Sequence, residues 1–272
     1  MNNTSKVMDN TKKLSICNFQ FPKKGDSMTS SRFWEPTFYG EEALFLSSAH
    51  VLGIITLLLS LVWLYLHRNK LYMRSYIRWL LFTILICSEL GILYWSISTG
   101  LWDIRSHLPL QLCTISLLIC CWMLVSRQYV SFEIVYFFGI GGALQAILTP
   151  DLFYTFPHFR YLHFFIAHIT IILAILFMVW VEKFRVTLYS ALKSFLALNV
   201  IGAYVFMMNY ILGTNYMYLA RKPENPTIID FLGPYPWYIL SLEFVVVFIY
   251  ILLYLPFYLT KKKSKSSNEV AP

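Results

Sequence analysis

Charge is scarce in this sequence. Only 13% of its 272 residues are Asp, Glu, Lys or Arg, against roughly a quarter in soluble domains. Acidic residues are the scarcest, 14 against 22 basic ones, for a net charge of +8. A soluble domain could not cover its surface with so few charges, and a disordered chain needs the opposite composition. Cysteine is sparse and odd in number: Cys17, Cys87, Cys113, Cys120 and Cys121. No pair has disulfide-framework or zinc spacing. Four lie in apolar runs, where cysteine acts as a small hydrophobe. There is no internal repeat and no Ser/Gly linker. His50, His163 and His168 have no metal-ligand spacing, so neither a metal nor another cofactor is expected.

Apolar residues make up 58% of the chain and aromatics 18%. That composition predicts an all-α polytopic membrane protein. A spanning helix needs about 20 mostly apolar residues, and seven segments qualify: roughly 43–66, 75–97, 107–125, 131–149, 160–181, 194–213 and 238–260. Short loops predict antiparallel neighbours in a seven-helix transmembrane bundle. We place that domain at 32–260, after an N-terminal extension at 1–31 expected to be disordered and before a solvated basic tail at 261–272. The first 27 residues are polar and lack the apolar core of a signal peptide. Lys23-Lys24-Gly25-Asp26 can be encoded by a purine-rich ribosome-binding site, so Met28 is one candidate start, and a solvated tail is the alternative.

Twelve Lys and Arg residues fall in loops 1, 3 and 5 and in the tail, against four in the opposite loops. The positive-inside rule then puts the N-terminus outside and the C-terminus in the cytoplasm. The +8 reads as anchoring charge, not as a nucleic-acid footprint. Trp34, Trp102, Tyr235 and Trp237 fall at the outer interface as an aromatic belt. The expected location is a membrane crossed several times by the chain.

Intramembrane polar groups usually face a bundle interior or a wet cavity. Here they gather in the outer half: His50, Glu89, His107, Gln111, Cys113, Gln145, Thr149, His163, His168, Asn209, Tyr210 and Glu243. We therefore expect a cavity facing the outer leaflet. At 1.5 Å per residue, Cys113 lies about 9 Å below His107 and His168 about 12 Å below Arg160. The thiol and imidazole are thus at similar depth and can form a nucleophile–base pair attacking an ester. Gln111, Asn209 or a helix N-terminus can supply oxyanion donors, and Glu89 or Glu243 can orient the imidazole. His107, Gln111, Gln145, Asn209, Tyr210, Glu89 and Glu243 are the candidates for substrate contact. The competing reading of each is structural: Cys113 as packing, the histidines as helix–helix bonds, Gln111 tied to Gln145, and the glutamates paired with His50 or Arg105. On a regular helix Gln111 and Cys113 diverge by about 200°, so a shared target needs an irregular helix start, which Pro109 permits. The outer loop 214–237 carries four prolines and an apolar Ile228-Ile229/Phe231-Leu232 group. It reads as a lid or as a cap over helix ends.

Several stretches together resemble the YwaF-like family of bacterial integral membrane proteins. They are His107-Leu-Pro-Leu-Gln-Leu-Cys113, Gly142-Ala-Leu-Gln-Ala-Ile-Leu-Thr-Pro-Asp151, and Phe156-Pro157 with Arg160 and His168. Asn209-Tyr210, Asn215-Tyr216-Met217, Lys222-Pro223 and Leu232-Gly-Pro-Tyr-Pro-Trp-Tyr238 complete the set. Gln111 stands where many relatives are expected to carry His. That family is distantly similar to a eukaryotic cysteine-centred acyltransferase that moves acyl chains between phospholipids, and to membrane hydrolases of fatty-acid esters. The resemblance implies Cys113 as nucleophile, His168 as base, and phospholipids or lyso-lipids as partners. The resulting expectation is a membrane-embedded lipid acyltransferase or esterase. The alternatives are a small-molecule or lipid transporter, or a sensor working through another membrane protein.

Overall fold

A computed structural model describes residues 33–36, 44–223 and 228–269, the side chains of 228 and 261–269 excepted. The expectations for residues 1–31 lie outside these. Seven helices follow one another: α1 (Ser48–His67), α2 (Arg78–Ser98), α3 (Leu112–Ser126), α4 (Tyr129–Leu148), α5 (Phe159–Trp180), α6 (Leu188–Leu212) and α7 (Trp237–Glu269). A π-helical turn, Met73–Ile77, leads into α2. The described residues contain no strand. Among the described residues six helices are long and apolar enough to cross a membrane, while α3 is shorter.

α4 and α5 form the centre. α5 touches α1, α2, α3 and α4, and α4 also touches α6 and α7. Their apolar windows are 61% buried inside the protein, against 11–28% for the other spans. Outward-facing Leu58, Leu59, Leu66, Val200, Ile211 and Phe244 make the exterior apolar, as a lipid-facing surface requires. α1 approaches α5 closely at Gly53, where an added Cβ would sit 2.2 Å from the Phe165 ring.

Three predicted boundaries shift. α3 begins at Leu112, not 107, because Pro109 removes a backbone donor and disfavours helix at Leu108. α6 begins at Leu188, six residues before the predicted 194, because Thr187 and Ser190 form a reciprocal capping box. The tail expected to be solvated coil starts as helix, since the α7 backbone continues to Glu269. No Pro or Gly interrupts 257–269.

We call the end where α1, α3, α5 and α7 begin the site end. At the opposite end, the Ser190 hydroxyl donates to Glu133 Oε1 at 2.5 Å and Lys193 Nζ reaches Oε2 at 2.7 Å. Ser190 therefore caps α6 and satisfies a buried carboxylate together. Ser190→Ala is expected to lower stability by about 2 kcal/mol, read from unfolding in detergent. A loss below a few tenths would mean that the bond carries nothing.

Candidate functional site

The helical part of α3 is too short for a bilayer. Fifteen residues span about 22 Å, against a hydrocarbon core of about 30 Å. The remaining depth at the site end is non-helical chain, 107–111. Irregular backbone at that depth is tolerated where it is buried in protein or lines a cavity. Gln111 is the N-cap in extended conformation, and its side chain caps no helical N–H. The first helical bond runs from the Ile115 N–H to the Gln111 carbonyl. The N–H groups of Leu112, Cys113 and Thr114 thus precede the helical ladder, at the positive end of the helix dipole. Cys113 is the second residue of this helix and half-buried.

His168 comes from the middle of α5 and is buried. Its Nδ1 lies 2.6 Å from the Phe164 carbonyl, one turn back on its own helix. An N–H donated there leaves Nε2 as the basic nitrogen. Nε2 is 3.0 Å from Cys113 Sγ, so the thiol donates to it. The imidazole is oriented by its own backbone, and neither Glu89 nor Glu243 takes part. Among the described residues Glu89 has no hydrogen bond to the imidazole, and Glu243 accepts from Asn199 Nδ2 at 3.3 Å.

The loop after α6 closes over the α3 start. Asn209 Oδ1 accepts from the Thr214 hydroxyl and the Tyr216 N–H, and Nδ2 donates to the Tyr216 carbonyl. The Tyr216 hydroxyl donates to the Ile104 carbonyl at 2.7 Å and accepts from the Leu108 N–H at 2.9 Å. The Met217 N–H donates to Gln111 Oε1 at 3.1 Å. That bond fixes the amide orientation and leaves Gln111 Nε2 available as a donor. Met217 and Tyr218 both adopt left-handed backbone, φ 56° and 54°. Such residues persist only where surroundings over-determine them. The Tyr218 hydroxyl bonds Asp151, and its carbonyl accepts from the Tyr238 hydroxyl. Burial and Asp151 raise the Tyr218 phenol well above its ordinary range. This segment is therefore a structural cap. The apolar part farther along does not close over it, since Phe231 is exposed.

The same matched stretches are covered by a family model, that of the TMEM164 family, which spans residues 41–254. The chain belongs to the TMEM164 family. It is also similar to an uncharacterized protein of Treponema pallidum (strain Nichols), 26% identical over 156 residues. That alignment covers 56% of this chain and 63% of the relative's length. No solved structure is a significant match.

In this TMEM164-family chain the other expected contacts scatter. Gln145 Nε2 donates to Thr149 on its own helix, not to Gln111. Asn209 is consumed by the cap, so it offers no oxyanion donor. Tyr210 is 88% exposed on the apolar exterior, since one residue along a helix turns about 100° away. His50 is satisfied by the Leu46 N–H and the Ile147 carbonyl. His107 lies in the loop before α3 instead of its first turn. Its Nδ1 accepts from the Asp103 N–H and the Ser106 hydroxyl, which leaves the proton on Nε2. Sequence reasoning missed Tyr218 as a tie of the cap, for which the Asn-Tyr-Met-Tyr run was a signal.

Burial, then the Arg160 charge, holds His158, the N-cap of α5, below its ordinary value of 6.5 against a bond to the Glu35 carbonyl. At this site the unfolded chain binds more protons than the folded one below pH 6.5, and its contribution to stability is lost as pH drops through that value. Unfolding midpoints at pH 7.5 and 5.5 should show lower stability at 5.5. His158→Asn, which keeps an N-cap acceptor, should shrink the difference, and an unchanged difference would remove His158 as its source.

Proposed function

We propose that this protein is a membrane-embedded lipid acyltransferase or esterase using Cys113 and His168. One observation carries the reading: the 3.0 Å contact between Cys113 Sγ and the imidazole nitrogen left basic by the Phe164 carbonyl. The sequence resemblance to a cysteine-centred phospholipid acyltransferase points the same way.

The mechanism starts with His168 Nε2 taking the Cys113 proton. The imidazolium and the α3 N-terminus both favour negative charge on sulfur. The thiolate attacks an ester carbonyl. The N–H groups at the start of α3 and Gln111 Nε2 can donate to the resulting oxyanion. When the C–O bond breaks, His168 returns its proton to the leaving alkoxide, giving an alcohol and an acyl thioester on Cys113. An acceptor alcohol or water then attacks the thioester while His168 takes its proton, and the thiol is regenerated. The substrate is drawn from the leaflet at the site end, the outer one by loop charge. The internal bonds of His50, Gln145 and Asn209 argue against a transporter cavity built from those residues.

A lipid inventory tests the activity. Membranes from cells lacking the protein would be compared by mass spectrometry with cells expressing wild type or His168→Gln. Wild type should alter phospholipid and lyso-phospholipid species, and the Gln variant should not. Equal inventories with wild type and without it, or full restoration by the variant, would overturn the reading.

A further inference from the structure

The corner between α1 and α2 carries charge of one sign. Residues 43–88 contain Arg68, Lys70, Arg74 and Arg78 and not one Asp or Glu. Two of these cations are occupied within the fold. The Arg68 guanidinium lies over the Tyr65 ring at 3.8 Å and donates to the Tyr65 carbonyl at the end of α1. Arg78 Nη1 donates to the Leu124 carbonyl near the end of α3, 3.2 Å away. Lys70 and Arg74 do nothing comparable. Both are exposed, and among the described residues neither side chain makes a hydrogen bond or an ion pair. They do not serve the helical turn that they flank and enter either. Cations near a helix start oppose its dipole, and this turn has neither an acidic residue nor a side-chain cap.

The same corner presents apolar surface at the membrane boundary. Leu71 is 91% exposed and Tyr76 is 76% exposed, while Met73 between them is fully buried. The buried methionine anchors the turn to the bundle, and its neighbours project away from it. Trp63, Tyr65 and Trp79 are exposed on the adjoining turns of α1 and α2. Aromatic side chains at helix ends mark the headgroup level of a bilayer. That level puts Lys70 and Arg74 beside lipid phosphates. The two are four residues apart, the spacing of neighbours on one helical side. Unpaired cations, exposed apolar side chains and interfacial aromatics thus meet in one short segment.

We propose that this corner binds the headgroup of an anionic phospholipid, in the leaflet at the end away from Cys113. Lys70 and Arg74 hold the phosphate, Arg74 through the parallel donors of its planar fork and Lys70 as a point charge. Leu71 and Tyr76 insert among the acyl chains beside it. A headgroup with net negative charge is favoured because 43–88 supplies four cations and no carboxylate. A zwitterionic headgroup brings its own ammonium, which Lys70 and Arg74 repel. Binding here is independent of the chemistry at Cys113.

The test uses the full-length protein in neutral detergent with equal amounts of phosphatidylglycerol and phosphatidylcholine carrying the same acyl chains. Lipids that stay bound are counted by native mass spectrometry. Wild type should retain phosphatidylglycerol over phosphatidylcholine by about tenfold, and less so as salt is raised. Lys70→Gln combined with Arg74→Gln should lower that preference about fivefold or more. Both side chains are exposed, so the double variant should unfold as wild type does. Lys70→Arg combined with Arg74→Lys keeps the charge and should keep the preference. Arg105→Gln, at the site end, should leave it unchanged. Equal retention of the two lipids by wild type would overturn the proposal, as would an unchanged preference in the double Gln variant. A loss in Arg105→Gln as large as in the double variant would overturn the placement at this corner.

Discussion

Cys113→Ala is expected to lower lipid ester turnover by roughly 10³-fold or more. The protein should keep its wild-type unfolding profile, since the side chain is small and only half-buried. Cys113→Ser is the sharper test. It preserves the hydrogen bond to His168 and nearly the same volume. A serine hydroxyl at the start of α3 is a far weaker nucleophile than a thiol, so the Ser variant should be nearly as inactive as the Ala variant. Cys87, Cys120 and Cys121 are the internal controls. Cys120 and Cys121 are buried on α3 beyond the site, and Cys87 lies on the α2 exterior. Their Ala variants should retain activity. Activity in Cys113→Ala, measured as ester release from a radiolabelled phospholipid, would remove the thiol from the reaction.

The second large effect is on stability. Gly53→Leu is expected to lose about 3 kcal/mol or more. The reason is the Phe165 ring, which lies 2.2 Å from where a Cβ would stand. That ring is buried and braced by Tyr161 at 4.8 Å and Phe164 at 5.3 Å between centroids, so it has nowhere to turn. The displaced element is α1, which also carries the His50 bond to the Ile147 carbonyl. Gly202 provides the contrast. No atom lies within 4 Å of its added Cβ, and Gly202→Ala should be neutral or gain up to about 1 kcal/mol from helix propensity. Equal effects at the two positions, measured by unfolding in detergent, would refute the close approach of α1 to α5.

The bundle was legible in the sequence because lipid leaves so few options. Long apolar runs must be helices, and their ends fall where polar residues begin, as at His67 and Ser98. The boundaries that slipped did so at local chemistry that hydropathy does not register. Thr187 and Ser190 start α6 inside a charged stretch, and Pro109 delays α3. Depth alone placed Cys113 and His168 at one level, yet it could not say that Phe164 would orient the imidazole. Glu89 and Glu243 were natural candidates by level, but they sit on other faces of their helices. Level also could not separate Asn209, which ties the cap, from Tyr210, which faces outward. Arg160 was counted as a loop charge for orientation. Its place over the Trp95 ring became visible only in the fold.

The most direct test is whether an acyl group passes through Cys113. Purified protein would be mixed with a phospholipid, quenched in acid within the first turnover, digested and weighed by mass spectrometry. The account predicts an acyl adduct on the peptide that contains Cys113, released by neutral hydroxylamine as a thioester is. It also predicts no adduct in the Cys113→Ala protein. Lipid turnover with no adduct on Cys113, or with the acyl group on another residue, would contradict it.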